Sequence, residues 1–191
     1  MKDIVLNSVS KSFGDTEVLK SLSAVFPAGK TSCITAPSGI GKTTLLRILM
    51  GLEKPDSGSI SGLDDISIGA VFQEDRLCEN MTAAANIKLV SPMLDDSAIT
   101  LAMQSVGLYD CEHRIVSELS GGMRRRVAIL RAILFDADLY LLDEPFKGLD
   151  ADTRADVIFF IKRQLSGKTV ILVTHDPREA AQMDCKFELK L

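Results

Sequence analysis

The chain has 191 residues, 46% hydrophobic and 25% charged, a balance that fits one soluble globular unit long enough to bury a sizeable core. Its formal net charge of -4 excludes a global basic field aimed at nucleic acid or anionic lipid. No apolar run reaches membrane-spanning length, because Arg131 interrupts the nearest, 127–135, and Met1-Lys2-Asp3 opens no signal-peptide core.

Residues 4–9 and 18–26 read as strands around a turn at Gly14-Asp15, and Pro27-Ala28-Gly29-Lys30 makes a second turn. A short strand at 31–35 feeds a glycine loop, and 43–50 continues as a helix. Residues 55–62 are rich in Pro, Gly and Ser and read as turns, and 66–72 reads as a buried strand ending at Gln73. From about 75 to 135 strand-like runs are scarce. Helices are expected at 82–89, 96–106 and 121–135, with turns at Ser91-Pro92 and Gly107. This predicts a helical subdomain inserted into an α/β core. Alternation then resumes with a strand at 139–142, a helix at 151–165 with Val157, Ile158, Ile161 and Leu165 on one stripe, and a β-branched strand at 169–174. A helix at 177–183 starts on proline, and a last strand spans 187–191. Such alternation implies a mainly parallel sheet. Cys33, Cys78, Cys111 and Cys185 are scattered without metal-ligand spacing, which predicts reduced thiols.

Ala36-Pro37-Ser38-Gly39-Ile40-Gly41-Lys42-Thr43 follows a strand and opens a helix, the context a phosphate-binding loop requires. Gly39 and Gly41 let the backbone curl so that amides from Ser38 through Ile40 and Gly41 to Thr44 face phosphate oxygens. Ala36 stands where the standard pattern has its first glycine. Lys42 can reach the outer phosphates, and the Thr43 hydroxyl can ligate Mg²⁺. Asp143-Glu144 ends an apolar strand. Ligands gather at the carboxyl ends of parallel strands, so both acids are expected to face the phosphates. Asp143 is expected to hold Mg²⁺, and Glu144 to orient or deprotonate the attacking water. His175 follows the strand 169–174 on the same edge, which makes it a candidate for a γ-phosphate hydrogen bond. His113 reads as a structural or solvated histidine. Leu119-Ser120-Gly121-Gly122-Met123 places a Ser-Gly-Gly turn at the start of a basic helix, a second anion-binding terminus. Arg124-Arg125-Arg126 reads as a solvated or interface helix face rather than a nucleic-acid patch, since no aromatics interleave it.

The ordered set resembles the ATP-binding subunit of ABC transporters across essentially the whole chain. Leu119 to Met123 is similar to the family signature, with Met123 where Gln is usual. Asp143-Glu144 resembles the Walker B end, and Gly148-Leu149-Asp150 the D-loop, with Lys147 where a small polar residue is commoner. The resemblance makes Gln73 the glutamine that senses γ-phosphate and Mg²⁺ and contacts a membrane partner. It makes Phe13 the aromatic under adenine; alone, Phe13 also reads as a strand-edge core residue. The stretch 71–77 is similar to importer subunits for nitrate, sulfonate, taurine or related solutes.

The resemblance implies a P-loop NTPase core over 1–74 and 136–191, with the helical subdomain at 75–135, all one ABC-type ATPase domain. Residues 51–72 are shorter than is common in the family, so a small, trimmed antiparallel β-subdomain is expected. No C-terminal regulatory domain is expected after His175. ATP and Mg²⁺ are the implied ligands. Two copies, or one copy and a related subunit, pair head to tail, each ATP lying between one chain's phosphate loop and the other's signature turn. Integral-membrane permease subunits and a solute-binding protein are the implied partners, with the subunit peripheral on the cytoplasmic face of the membrane. A soluble ABC-type ATPase driving assembly, or a nucleotide-gated dimerisation module with little hydrolysis, is the alternative. A small-molecule kinase is disfavoured because it has no need of the Ser120 turn.

Overall fold

Inward-facing apolar residues fold the first stretch of chain into a hairpin. In the computed structural model, which describes residues 1–35 and 40–190, β1 (Ile4–Phe13) pairs antiparallel with β2 (Thr16–Phe26). The turn falls at Gly14-Asp15 as expected. Ile4, Leu6, Val9, Leu19 and Phe26 are buried along the two strands.

β4 (Ser57–Ser61) lines the other side of β1 and completes a three-stranded sheet of order β2-β1-β4. This corrects the reading of 55–62 as turns alone. Gly58 has φ +88°, and a Cβ there would lie 2.4 Å from the Ser8 carbonyl oxygen and 2.5 Å from that of Asn7. Glycine at this point marks a close approach of two backbones, not a break in the strand.

The chain divides into two compact units, Met1–Ile68 with Ala137–Asp143 and Gly167–Leu191, and Gly69–Asp136 with Glu144–Ser166. A five-stranded sheet has the order β5-β6-β7-β3-β8, with β3 (Thr31–Thr35), β5 (Ile68–Val71), β6 (Leu139–Asp143), β7 (Thr169–Val173) and β8 (Phe187–Lys190). β3 runs parallel to both β7 and β8, and β6 runs parallel to β7. Every residue of β6 and β7 is buried, as their unbroken apolar runs require. The α/β class, the parallel sheet and the small antiparallel sheet match the sequence reading.

In the first unit, α1 (Lys42–Leu49) packs Leu45, Leu46, Ile48 and Leu49 into one cluster with Ile4, Phe26, Ile34, Leu141, Ile171 and Val173. Cys33 in β3 is disulfide-bonded to Cys185, just before β8, which overturns the expectation of four reduced thiols. A separation of 152 residues hides this pairing from the sequence, and only the β3–β8 neighbourhood brings it about. Cys78 and Cys111 are free thiols.

The second unit is mostly helical. α2 (Ala83–Lys88), α3 (Asp96–Gln104), α4 (Gly121–Ile133) and α5 (Ala151–Gln164) start on the side chains of Thr82, Asp95, Ser120 and Asp150, each accepting a first-turn amide. A short 3₁₀ turn, Val116–Glu118, precedes the Ser120 turn. The expected stripe of α5, Val157, Ile158 and Ile161, is buried, as is Leu165 beyond its end. α6 (Pro177–Gln182) belongs to the first unit and begins on proline. Among the described residues no helix is long and apolar enough to cross a membrane.

Candidate functional site

Register sets the site of the first unit. Ile34 near the end of β3 pairs with Val173 of β7, and Val173 pairs with Asp143 of β6. The carboxyl ends of three parallel strands therefore form one edge. Asp143 stands on it, His175 follows β7 by two residues, and β3 leads toward Lys42 at the start of α1. Pro37, Ser38 and Gly39, with Ala36, lie outside the described residues. Ile40 is exposed, Lys42 buried and Thr44 half-buried.

Gly41 caps α1 with φ +97°, and a Cβ there would come within 2.8 Å of Val18 Cγ1 and 2.9 Å of the Val18 carbonyl. Only glycine fits that turn. No side chain caps α1 at Gly41, and its first turn carries no acid. A helix start of this kind offers amides and a positive dipole end to an external anion. Thr43 Oγ1 lies 3.4 Å from Asp143 Oδ2. A hydroxyl beside a carboxylate is a hard-oxygen donor pair suited to Mg²⁺, which takes few protein ligands and keeps waters and phosphates for the rest. The residues present fit MgATP.

His175 is exposed, and the turn that carries it is held from behind. The buried Thr174 hydroxyl donates to Glu179 and accepts the Asp176 amide at 3.1 Å. Phe13 ends β1 with half its surface exposed, and Lys11 Nζ lies 5.3 Å from its ring centroid. An open aromatic face of this kind can stack on a planar base.

The second unit holds the other candidates. Ser120 Oγ accepts the Met123 amide at 3.3 Å. Gly121 is exposed, and a Cβ added there meets nothing within 4 Å. Gly122 faces Gly148 and Leu149 of the D-loop-like stretch, which a Cβ would meet at about 4 Å. Glu144 has φ +45°, an uncommon conformation for a non-glycine residue, and Lys147 Nζ lies 3.7 Å from its carboxylate. Gln73 is exposed.

The reading of Arg124-Arg125-Arg126 as a solvated or interface helix face is corrected at Arg125, which is 4% exposed and turned into its own unit. Its Nε donates to the Pro145 carbonyl and Nη2 to the Glu144 carbonyl, both at 2.8 Å. Its Nη1 donates to the Phe72 carbonyl at 2.5 Å and lies 3.3 Å from Asp75. Arg131 donates to the carbonyls of Asp75 and Arg76. Arg126 binds the carbonyls of Gly122, Val106 and Gly107. Burial lowers the pKa of Arg126 and of Arg131 from the ordinary guanidinium value. One signal was present in the sequence: Arg125 lies three and four residues before Ala128 and Ile129, on the buried face of the helix.

Comparisons with known proteins agree with this geometry. The family model described as ABC transporter matches residues 19–147. An aliphatic sulfonates import ATP-binding protein of Rhodococcus jostii is 40% identical over 92% of this chain and 74% of that protein. A sulfate/thiosulfate import ATP-binding protein of Synechocystis is 38% identical over 94% of this chain, which spans only 56% of that relative's length. Among solved structures, a dimeric bacterial ABC transporter cassette superposes with TM-score 0.86 at 28% identity, covering 98% of this chain and 94% of that one. An Atm1-family ABC exporter with ATP bound gives TM-score 0.89 at 25% identity over 100% of this chain and 37% of that one. A phosphate-loop helix start, a Ser-Gly-Gly helix cap and this breadth of likeness agree: the chain belongs to the ABC transporter family.

Proposed function

We propose that the chain is the ATP-binding and ATP-hydrolysing subunit of a membrane importer, driving a partner permease by ATP-dependent head-to-tail dimerisation. The observation that carries this reading is the Thr43 hydroxyl at the start of α1, 3.4 Å from the Asp143 carboxylate at the end of β6. The Ser120 cap of α4, a second anion-binding terminus, supports the pairing of two chains. The import ATP-binding relatives support transport and point to a sulfonate, sulfate or related small anion as the solute.

In this reading Lys42 and the amides from Ser38 and Gly39 through Thr44 bind the phosphates, with Pro37 shaping the loop ahead of them. Thr43, Asp143 and Gln73 would hold Mg²⁺, which would neutralise charge on the phosphate oxygens. Glu144 takes the proton of the attacking water, and His175 hydrogen-bonds the γ-phosphate. Phe13 stacks on adenine. Ser120, Gly121, Gly122 and Met123 reach the nucleotide held by the partner copy. Loss of the γ-phosphate removes the contacts that favour the closed pair, so the copies separate and the permease resets. The full assembly then contains permease subunits, a solute-binding protein and this subunit on the inner face of the membrane. The division into a core at 1–74 and 136–191 and a helical subdomain at 75–135 belongs to the same proposal.

Glu144→Gln tests it. Hydrolysis is expected to fall by at least about 100-fold, the scale of lost general-base catalysis, while ATP binding persists and a dimer accumulates on a sizing column. Turnover at the wild-type rate rules Glu144 out as the base. Reconstitution with the permease in vesicles tests transport; ATP turnover indifferent to every sulfonate and sulfate system supplied overturns the solute assignment.

A further inference from the structure

We infer that Arg125 is a positioning residue that yokes the Gln73 segment to the Glu144 turn, so that the two set their geometry together. The inference deepens the functional reading above and rests on it for the roles of Gln73 and Glu144.

The two segments are about seventy residues apart in sequence, and one buried guanidinium binds both. Nη1 holds the Phe72 carbonyl at 2.5 Å, reaches that of Gln73 at 3.5 Å and pairs with Asp75 at 3.3 Å. Nη2 and Nε hold the carbonyls of Glu144 and Pro145, both at 2.8 Å. The fork geometry is specific to arginine. Its planar donors point in fixed directions, whereas a lysine ammonium is a single point of charge that cannot span both segments. At Phe72, Gln73, Glu144 and Pro145 the acceptors are backbone carbonyls, so the contact fixes the course of the main chain at both segments.

The contact to Glu144 falls at a strained backbone position. Glu144 sits at φ +45°, a conformation that persists only where its surroundings hold it. Arg125 grips the carbonyl of that same residue. On the opposite side, Arg131 from two turns further along α4 holds the carbonyls of Asp75 and Arg76 at 3.2 and 2.9 Å. Arg76 in turn lies 4.0 Å over the Phe72 ring. The 72–76 segment is thus fixed to α4 at both ends, and Arg125 alone of the two arginines also binds the Glu144 turn. A shift of the Gln73 segment is therefore transmitted to the backbone beside Glu144 through one side chain.

Three measurements test this. Arg125→Ala and Arg125→Lys are made in the full chain, with wild type beside them. For both variants kcat for ATP is expected to fall 10-fold or more while KM stays within 2-fold, and added ethylguanidinium is expected to restore part of the alanine variant's kcat. Equal losses in kcat and KM, with no rescue, assign Arg125 a purely structural role and overturn the proposal. Hydrogen exchange gives a readout independent of activity. Amides of 72–76 and of 144–148 are expected to lose protection together in either variant, while α5 keeps its own. Loss confined to one segment overturns the yoke whether or not the protein turns over. Wild-type protein without any ATPase activity overturns the proposed function instead, and the exchange result still decides the role of Arg125. Should the alanine variant not fold, the lysine variant carries the exchange test.

Discussion

Lys11 is a buried lysine whose partners the sequence does not announce. Its side chain is 11% exposed, and its ammonium lies 2.9 Å from Glu53 and 3.0 Å from Asp56. Asp56 also accepts the Ser12 amide at 2.7 Å. Hydrogen bonds to Glu53 and Asp56 raise the Lys11 pKa. The Lys11 hydrogen bond lowers that of Glu53, and the Ser12 amide followed by Lys11 lowers that of Asp56. Two carboxyls with depressed folded-state pKa values contribute stability that is full above the ordinary carboxylate range, about 4. That contribution is lost as pH falls through their lower folded values. The lysine behaves in the opposite sense: its share is full below the ordinary lysine value, about 10.4, and is lost as pH climbs through the raised value. Asp56→Asn is expected to lower the urea midpoint at neutral pH and to flatten its decline below about pH 4. Identical acid limbs in mutant and wild type contradict the assignment. The consequence reaches the candidate site, because the same lysine stands beside the exposed ring of Phe13.

At the scale of elements, β4 depends on what lies beside it more than on its own composition. Ser-Gly-Ser-Ile-Ser has one apolar residue and no alternation, and it becomes a strand only because β1 supplies its hydrogen-bond partners. Gly58→Ala puts a Cβ about 2.4 Å from the Ser8 carbonyl at φ +88°. Strain of that kind is expected to cost more than about 1 kcal/mol and to lower the melting temperature by several degrees. A Gly58→Ala protein that melts at the wild-type temperature refutes the close approach. This contrast explains what the sequence could yield. α4 and α5 carry their own helical periods and their own capping side chains, and β7 is an unbroken β-branched run, so each was readable alone. The start of α1 was legible because its turn demands Gly41. Contacts that join distant segments were not legible. The Cys33–Cys185 disulfide and the Arg125 contacts each depend on which strands or helices become neighbours. A run of three arginines looks solvated until the phase of the helix buries the middle one.

For the molecule as a whole, the proposed function asks two helix starts in different units to act on one triphosphate. The first unit offers the start of α1, with Thr43 and Asp143 beside it; the second offers the start of α4 at Ser120. The proposed answer is a second copy, and Ser120 is the place to test it. Ser120 is exposed, and a Cβ added at the neighbouring Gly121 meets nothing within 4 Å among the described residues. Ser120→Arg removes the cap of α4, a loss of about 1 kcal/mol, and leaves the residues of the first unit untouched. It also sets a bulky cation where the partner's nucleotide is proposed to dock. In a Glu144→Gln background with MgATP, the parent is expected to run at twice the 20.8 kDa chain mass by light scattering. The Ser120→Arg version is expected to remain at the single-chain mass, yet bind a fluorescent ATP analogue with unchanged affinity. Loss of both dimer and nucleotide binding points to a damaged fold, which the melting temperature reveals independently. Pairing that persists despite the arginine removes Ser120 from the dimer contact and, with it, the sharing of one nucleotide between two chains.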